Sequence, residues 1–156
     1  MRTGLAVAWL SRVAGQAESD ERLAAESNLG RSLIEEGKYA DAEPMLREIH
    51  KVYMRRLGAE HPDALMIAGD LAKSLVGQGK YADAEWIFRE VHRAHKNVIG
   101  TEHPSTLRSV GCLASTLSYQ GKYAEAERIH REVHEGQKRV LGAEHPDTED
   151  CSQSGY

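Results

Sequence analysis

The chain has 156 residues, with 20 Lys plus Arg against 24 Asp plus Glu and a formal net charge of −4, which suits one ordinary domain able to bury a core. The charges are mixed in sign, and no basic run interleaved with aromatics appears, which argues against a nucleic-acid surface. The two cysteines, Cys112 and Cys151, give neither a disulfide framework nor metal-ligand spacing, and so point to a reducing compartment, the cytoplasm.

From the N-terminus, the longest apolar run is GLAVAWL at 4–10, far too short to span a bilayer, so no membrane role is expected. Arg2 precedes it as in a secretory or transit signal, but no clear small-x-small cleavage site follows. Leu5, Ala6, Trp9, Leu10 and Val13 fall on one helical face, predicting a short amphipathic helix near residues 4–14 within an N-terminal segment 1–18. A repeat then begins. GKYADAE at 37–43 returns at 79–85 and again, as GKYAEAE, at 121–127, each 42 residues after the last. LGAEHPD at 57–63, IGTEHPS at 99–105 and LGAEHPD at 141–147 keep the same period. Between these landmarks in the middle repeat, Leu65, Ala68, Leu71, Ala72, Leu75 and Val76 form one stripe, and Ala84, Ile87, Phe88 and Val91 form another. Those intervals mean two amphipathic helices per repeat. Nothing reads as a strand. The fold class expected is an all-α solenoid of antiparallel helix pairs. The domain reading is three repeats, 19–60, 61–102 and 103–144, with the start of another to 149 and a disordered tail at 150–156.

The landmarks have physical roles. Gly37, Gly79 and Gly121 suit the left-handed residue that closes a first helix. Tyr39, Tyr81 and Tyr123 can lay a ring over the hairpin junction with the hydroxyl in water. Ala42, Ala84 and Ala126 are small where two helices approach closely. Asp41 with Glu43, Asp83 with Glu85 and Glu125 with Glu127 favour the first turn of the second helix. Gly58, Gly100 and Gly142 end that helix, and Pro62, Pro104 and Pro146 suit the first position of the next. These are turns and caps rather than a catalytic signature. Past Pro146, PDTEDCSQSGY carries no apolar stripe, so Ile129, Val133, Val140 and Leu141 are expected to be poorly covered. A longer natural protein, a partner or a second copy would cover them.

GKY-x-x-AE and LG-x-x-HPD on helix pairs of this period resemble tetratricopeptide repeats of the kinesin light chain type, over roughly residues 19–149. Family core positions fall on Leu29, Leu71 and Leu113, on Gly30, Ala72 and Ala114, on Leu33, Leu75 and Leu117, and on Ala42, Ala84 and Ala126. The large apolar site of the second helix is Leu46 and Phe88 but His130 in the third repeat, and the family's small residue one turn on is replaced by Ile49, Val91 and Val133. The heptad segment that binds a kinesin heavy chain is absent, so the resemblance extends to the repeat module and not to a motor subunit. It implies a right-handed superhelix whose first helices line a concave face and hold an extended peptide. The family's groove asparagine matches Asn28, with Asp70 and Cys112 at its place in the other repeats. One turn further along the same face come Arg31, Lys73 and Ser115, and Arg108 precedes Cys112 by one turn. These seven are the candidate groove residues, with Arg or Lys suited to an acidic partner. The competing reading is a solvated polar face, in a structural or self-associating module, part of a larger protein, with no peptide of its own.

Chemistry beyond binding finds little support. Six of the eight histidines follow the period: His50, His92 and His134 on second helices, and His61, His103 and His145 at the HP junctions. His130 and His134 are four apart, but no third ligand is near in sequence. No Ser–His–Asp arrangement, Gly-x-Gly-x-x-Gly run or GK[ST] loop is present. Cys112 reads as a small half-buried residue rather than a nucleophile. No enzyme activity, metal or cofactor is expected. The partner expected is a protein or peptide, with self-association through an uncapped terminal repeat as the other route.

Overall fold

Two kinds of junction, each used repeatedly, decide where the helices begin and end. The computed structural model describes residues 20–141. They form α1 (Asp20–Glu35), α2 (Tyr39–Leu57), α3 (Pro62–Gly77), α4 (Tyr81–Ile99), α5 (Pro104–Tyr119) and α6 (Tyr123–Leu141), and no strand occurs among the described residues. The helix expected near 4–14, the start of a further repeat and the tail lie outside them.

At the first junction Gly37, Gly79 and Gly121 have φ of 75°, 78° and 80°, the left-handed region that costs glycine nothing. The amide of Lys38 reaches the Leu33 carbonyl at 2.8 Å and that of Gly37 reaches Ile34 at 2.9 Å. Lys80 to Leu75 with Gly79 to Val76, and Lys122 to Leu117 with Gly121 to Ser118, repeat the pair. This is a Schellman closure, which satisfies the last carbonyls of each first helix. At the second junction Pro62 and Pro104 open α3 and α5. The preceding histidines are their N-caps: Nδ1 of His61 accepts from the Asp63 amide at 3.2 Å, and Nδ1 of His103 from the Ser105 amide at 3.1 Å. HPD is therefore a cap whose histidine takes the place usually held by Ser or Asp.

The molecule divides into two compact halves, one through Lys80 and one from Tyr81. In the first, α1 packs on α2 and α3, and α2 packs on α3. Ala42, Leu46, Ile49, Leu71, Ala72 and Leu75 are buried there. Small residues set the spacing. A Cβ on Gly30 would stand 2.7 Å from a Leu46 methyl, and one on Gly77 would stand 2.3 Å from the Tyr39 ring. In the second half α5 packs on both α4 and α6, around Ala84, Phe88, Val91, Leu113, Leu117 and Ala126.

Two expectations about coverage need correction. Ile129 and Val133 are buried, because with Ala126 they form a stripe on α6, the helix against which α5 packs. Val140 is exposed as expected, and the Leu141 side chain lies outside the described set. Leu29, mapped to the core, is instead 46% exposed, whereas Leu71 and Leu113 are buried. Among the described helices α1 is packed only by α2 and α3, and neither covers that face.

Candidate functional site

The candidate residues stand on α1, α3 and α5. Asn28 is exposed on α1, and Arg31, one turn on, is half-buried. Asp70 on α3 is buried and takes both neighbouring cations. Arg31 donates to its Oδ2 from Nε at 3.4 Å and from Nη2 at 3.3 Å, and Lys73 donates to Oδ1 at 3.4 Å. The same Arg31 Nη2 lies 3.2 Å from the sulfur of Met66. The structure thus brings Arg31, Asp70 and Lys73 into one cluster in which Asp70 positions the cations and is not itself open to a ligand. In the second half Arg108 is exposed and Cys112 is half-buried. The Ser115 hydroxyl donates back to the Gly111 carbonyl at 3.2 Å, so it is turned onto its own helix.

A second constellation goes beyond the helix-dipole role that the sequence assigns to its glutamates. Glu43 stands one turn into α2, past the first-turn Asp41, and accepts from Gln78 at 2.6 Å and Lys80 at 2.9 Å through Oε2, and from Arg47 at 2.8 Å through Oε1. Glu85 on α4 repeats this with Gln120 at 2.6 Å, Lys122 at 2.9 Å and Arg89 at 2.7 Å. The final glutamate of GKYADAE is therefore a latch for the Schellman turn of the following repeat. Burial alone would raise these carboxyls. Lys80, Arg47 and Gln78 hold Glu43 at about 2 instead, and Lys122, Gln120 and Arg89 do the same for Glu85. The signal was present in the sequence as QGKY at 78–81 and 120–123, where the glutamine before the glycine recurs.

Histidines form the third feature. The Nδ1 atoms of His92, His95 and His130 are buried with no hydrogen-bond partner. Burial pushes the pKa of His50, His92, His95 and His130 down. His103 and His92 push His95 down further. At His92 a hydrogen bond with the Thr106 backbone and the charge of Glu132 oppose that fall, while Lys96 adds to it. A lowered folded-state value means that the native protein binds fewer protons than the unfolded chain. Stability is then whole above the ordinary histidine value of 6.5 and is lost as pH falls through the window below it. Glu43 and Glu85 add a second loss between 4.5 and about 2. The thermal midpoint measured against pH is expected to be level above neutrality and to fall in these two stages. His130→Leu, which restores the residue type of Leu46, should shrink the first stage. A midpoint independent of pH from 7 to 5 would contradict this assignment.

Among the described residues no group of three or more His, Cys, Asp or Glu could hold a metal ion, and no helix is long and apolar enough to cross a membrane.

Helices closed by repeated turns, two of them latched to the turn of the following repeat, define a helical repeat protein. Two family models, each described as tetratricopeptide repeat, match residues 21–97 and 106–147, and the chain belongs to that family. Such repeats mediate protein–protein interaction. Its fold is similar to that of a Podosopora anserina protein assigned as a kinesin light chain with nearly identical TPR-like repeats, at TM-score 0.79 and 25% identity over 90% of this chain. That match is to a single-substitution form; a second crystal structure under the same description matches at TM-score 0.79 and 25% identity over 89% of this chain. The chain spans 66% of the length of either structure. Among curated proteins, none matches.

Proposed function

We propose that the chain is a scaffold that captures an extended acidic segment of a partner protein against its first helices, with Arg31 and Lys73 as the cations that meet it. The observation that carries this reading is the Arg31–Asp70–Lys73 cluster. Two cations share one buried carboxylate, so the cluster keeps a net positive charge, and the side chains of Arg31 and Lys73 remain 41% and 48% exposed. Each therefore has donors left for a second acceptor. Asn28, exposed one turn before Arg31, offers an amide able both to donate to and accept from an extended backbone. On α5 the positions matching Asp70 and Lys73 are Cys112 and Ser115, with the exposed Arg108 one turn before Cys112. The reading needs no cofactor and no catalysis, and suits a cytoplasmic setting.

Because Lys73 is tied to Asp70, reversing its charge would set a second carboxylate beside a buried one. Lys73→Gln is the cleaner test, with Lys73→Glu as the stronger one. Binding of a fluorescein-labelled acidic decapeptide should weaken about two- to five-fold for Lys73→Gln at low salt, the usual range for a rim-exposed pair. That difference should shrink at high salt. Unchanged affinity at low salt would remove Lys73 from the surface.

A further inference from the structure

The two HP junctions share a sequence and a cap, yet they differ in what surrounds the histidine. Nδ1 accepts from the Asp63 or Ser105 amide, which it can do only while it carries no proton. A proton there turns the acceptor into a donor and sets a positive charge at the positive end of the helix dipole. At the α2–α3 junction that charge has a counterion, for Asp63 Oδ2 stands 3.9 Å from Nδ1 of His61. At the α4–α5 junction Ser105 takes the place of Asp63, and the first turn of α5 holds no acidic residue. His95 stands where the preceding repeat has Tyr53, and the charges of His103 and His92 both act on it. The Nδ1 atoms of His92 and His95 are buried with no hydrogen-bond partner among the described residues, so a proton added there meets no acceptor. Of the charged groups facing these rings, Lys96 on α4 opposes a charge on His92 and Glu132 on α6 favours it. Glu102, next to His103, is already held by Arg139 of α6 at 2.9 Å.

We propose that the α4–α5 junction is an acid-triggered hinge. Proton uptake by His103, His95 and His92 frees the first turn of α5, while the α2–α3 junction stays closed. The closed α4–α5 junction needs all three rings neutral: His103 to accept from the Ser105 amide, His95 and His92 because their Nδ1 atoms are shut from water. It therefore binds fewer protons than the opened one, and opening grows as pH falls. Histidine changes charge between about pH 5 and 8, so it makes a switch of a position where a serine cap would not respond. What opens is defined by two bonds, from the Leu107 amide to the His103 carbonyl at 3.0 Å and from the Thr106 hydroxyl to the Gly100 carbonyl at 2.7 Å. The latch at the far end of α5 keeps its charge in the same range, because Glu85 titrates at about 2. The opening is therefore local.

The test is native-state amide exchange of the full chain, followed by NMR at about pH 7.5 and about pH 5.5 and corrected for the intrinsic rate. Protection of the Ser105 and Leu107 amides should fall roughly three- to thirty-fold on acidification, the range for losing a helix cap. Protection of the Asp63 and Leu65 amides should change by about two-fold or less, because the His61–Asp63 pair offsets the lost cap. His103→Asn keeps a good cap that does not titrate, and should reduce the fall at Leu107 to about two-fold or less. His95→Tyr restores the residue type of the preceding repeat and should shrink the fall as well. An equal fall at both junctions would overturn the proposal, since acid would then act on the whole molecule alike. So would unchanged protection at Ser105 and Leu107 in the parent, or a fall of the parent's size in either variant.

Discussion

Ala84→Trp is expected to lower the thermal midpoint by roughly 2–12 °C, since about 1–3 kcal/mol of overpacking shifts a chain of this size by about 2–4 °C per kcal/mol. Ala84 has no exposed surface and shares a stripe of α4 with buried Phe88 and Val91. An indole there must displace side chains held at crystal-like density, or push the helix away from its neighbour. The control is Ala82→Trp on the same helix, where the alanine is exposed, and its midpoint should stay within a degree or two of the parent. Circular dichroism melts of the three proteins make the comparison. Equal midpoints for Ala84→Trp and the parent would show that this face of α4 is not a packing face.

The second large effect is expected at the latch. Glu85→Ala removes the shared acceptor of Gln120, Lys122 and Arg89, leaving Gln120 half-buried without its 2.6 Å partner. A loss of about 1–3 kcal/mol is expected, set mainly by the unsatisfied amide of Gln120, with a smaller share from the pairs to the half-exposed Lys122 and Arg89. Glu127→Ala at the same place in α6 should cost no more than about 0.5 kcal/mol, because its pair with Arg131 is a solvent-exposed i,i+4 contact. Urea denaturation of both variants reads the difference directly. Similar losses at the two sites would mean that Glu85 acts only through the helix dipole.

Those two positions also mark how far the sequence could be read. What it determined by itself is local. Glycine at the closing position fixes a left-handed turn, proline fixes the first residue of the next helix, and apolar spacing fixes which side of each helix turns inward. All of these act within a turn or two of chain, so the order of the six described helices and the pairing of α1 with α2 and of α5 with α6 were legible from the letters. What the tertiary structure decided depends on residues about one repeat away. Glu43 and Glu85 look alike to Glu127 in their own helices, and differ only because Gln78 with Lys80, or Gln120 with Lys122, arrive 35 and 37 residues later. Asp70 reads as a groove residue from its repeat position, yet Arg31, 39 residues earlier, helps hold it as a buried anchor. Leu29 has the pattern of Leu71 and Leu113 but lies exposed, because periodicity says which face a side chain takes and only a packed neighbour removes that face from water.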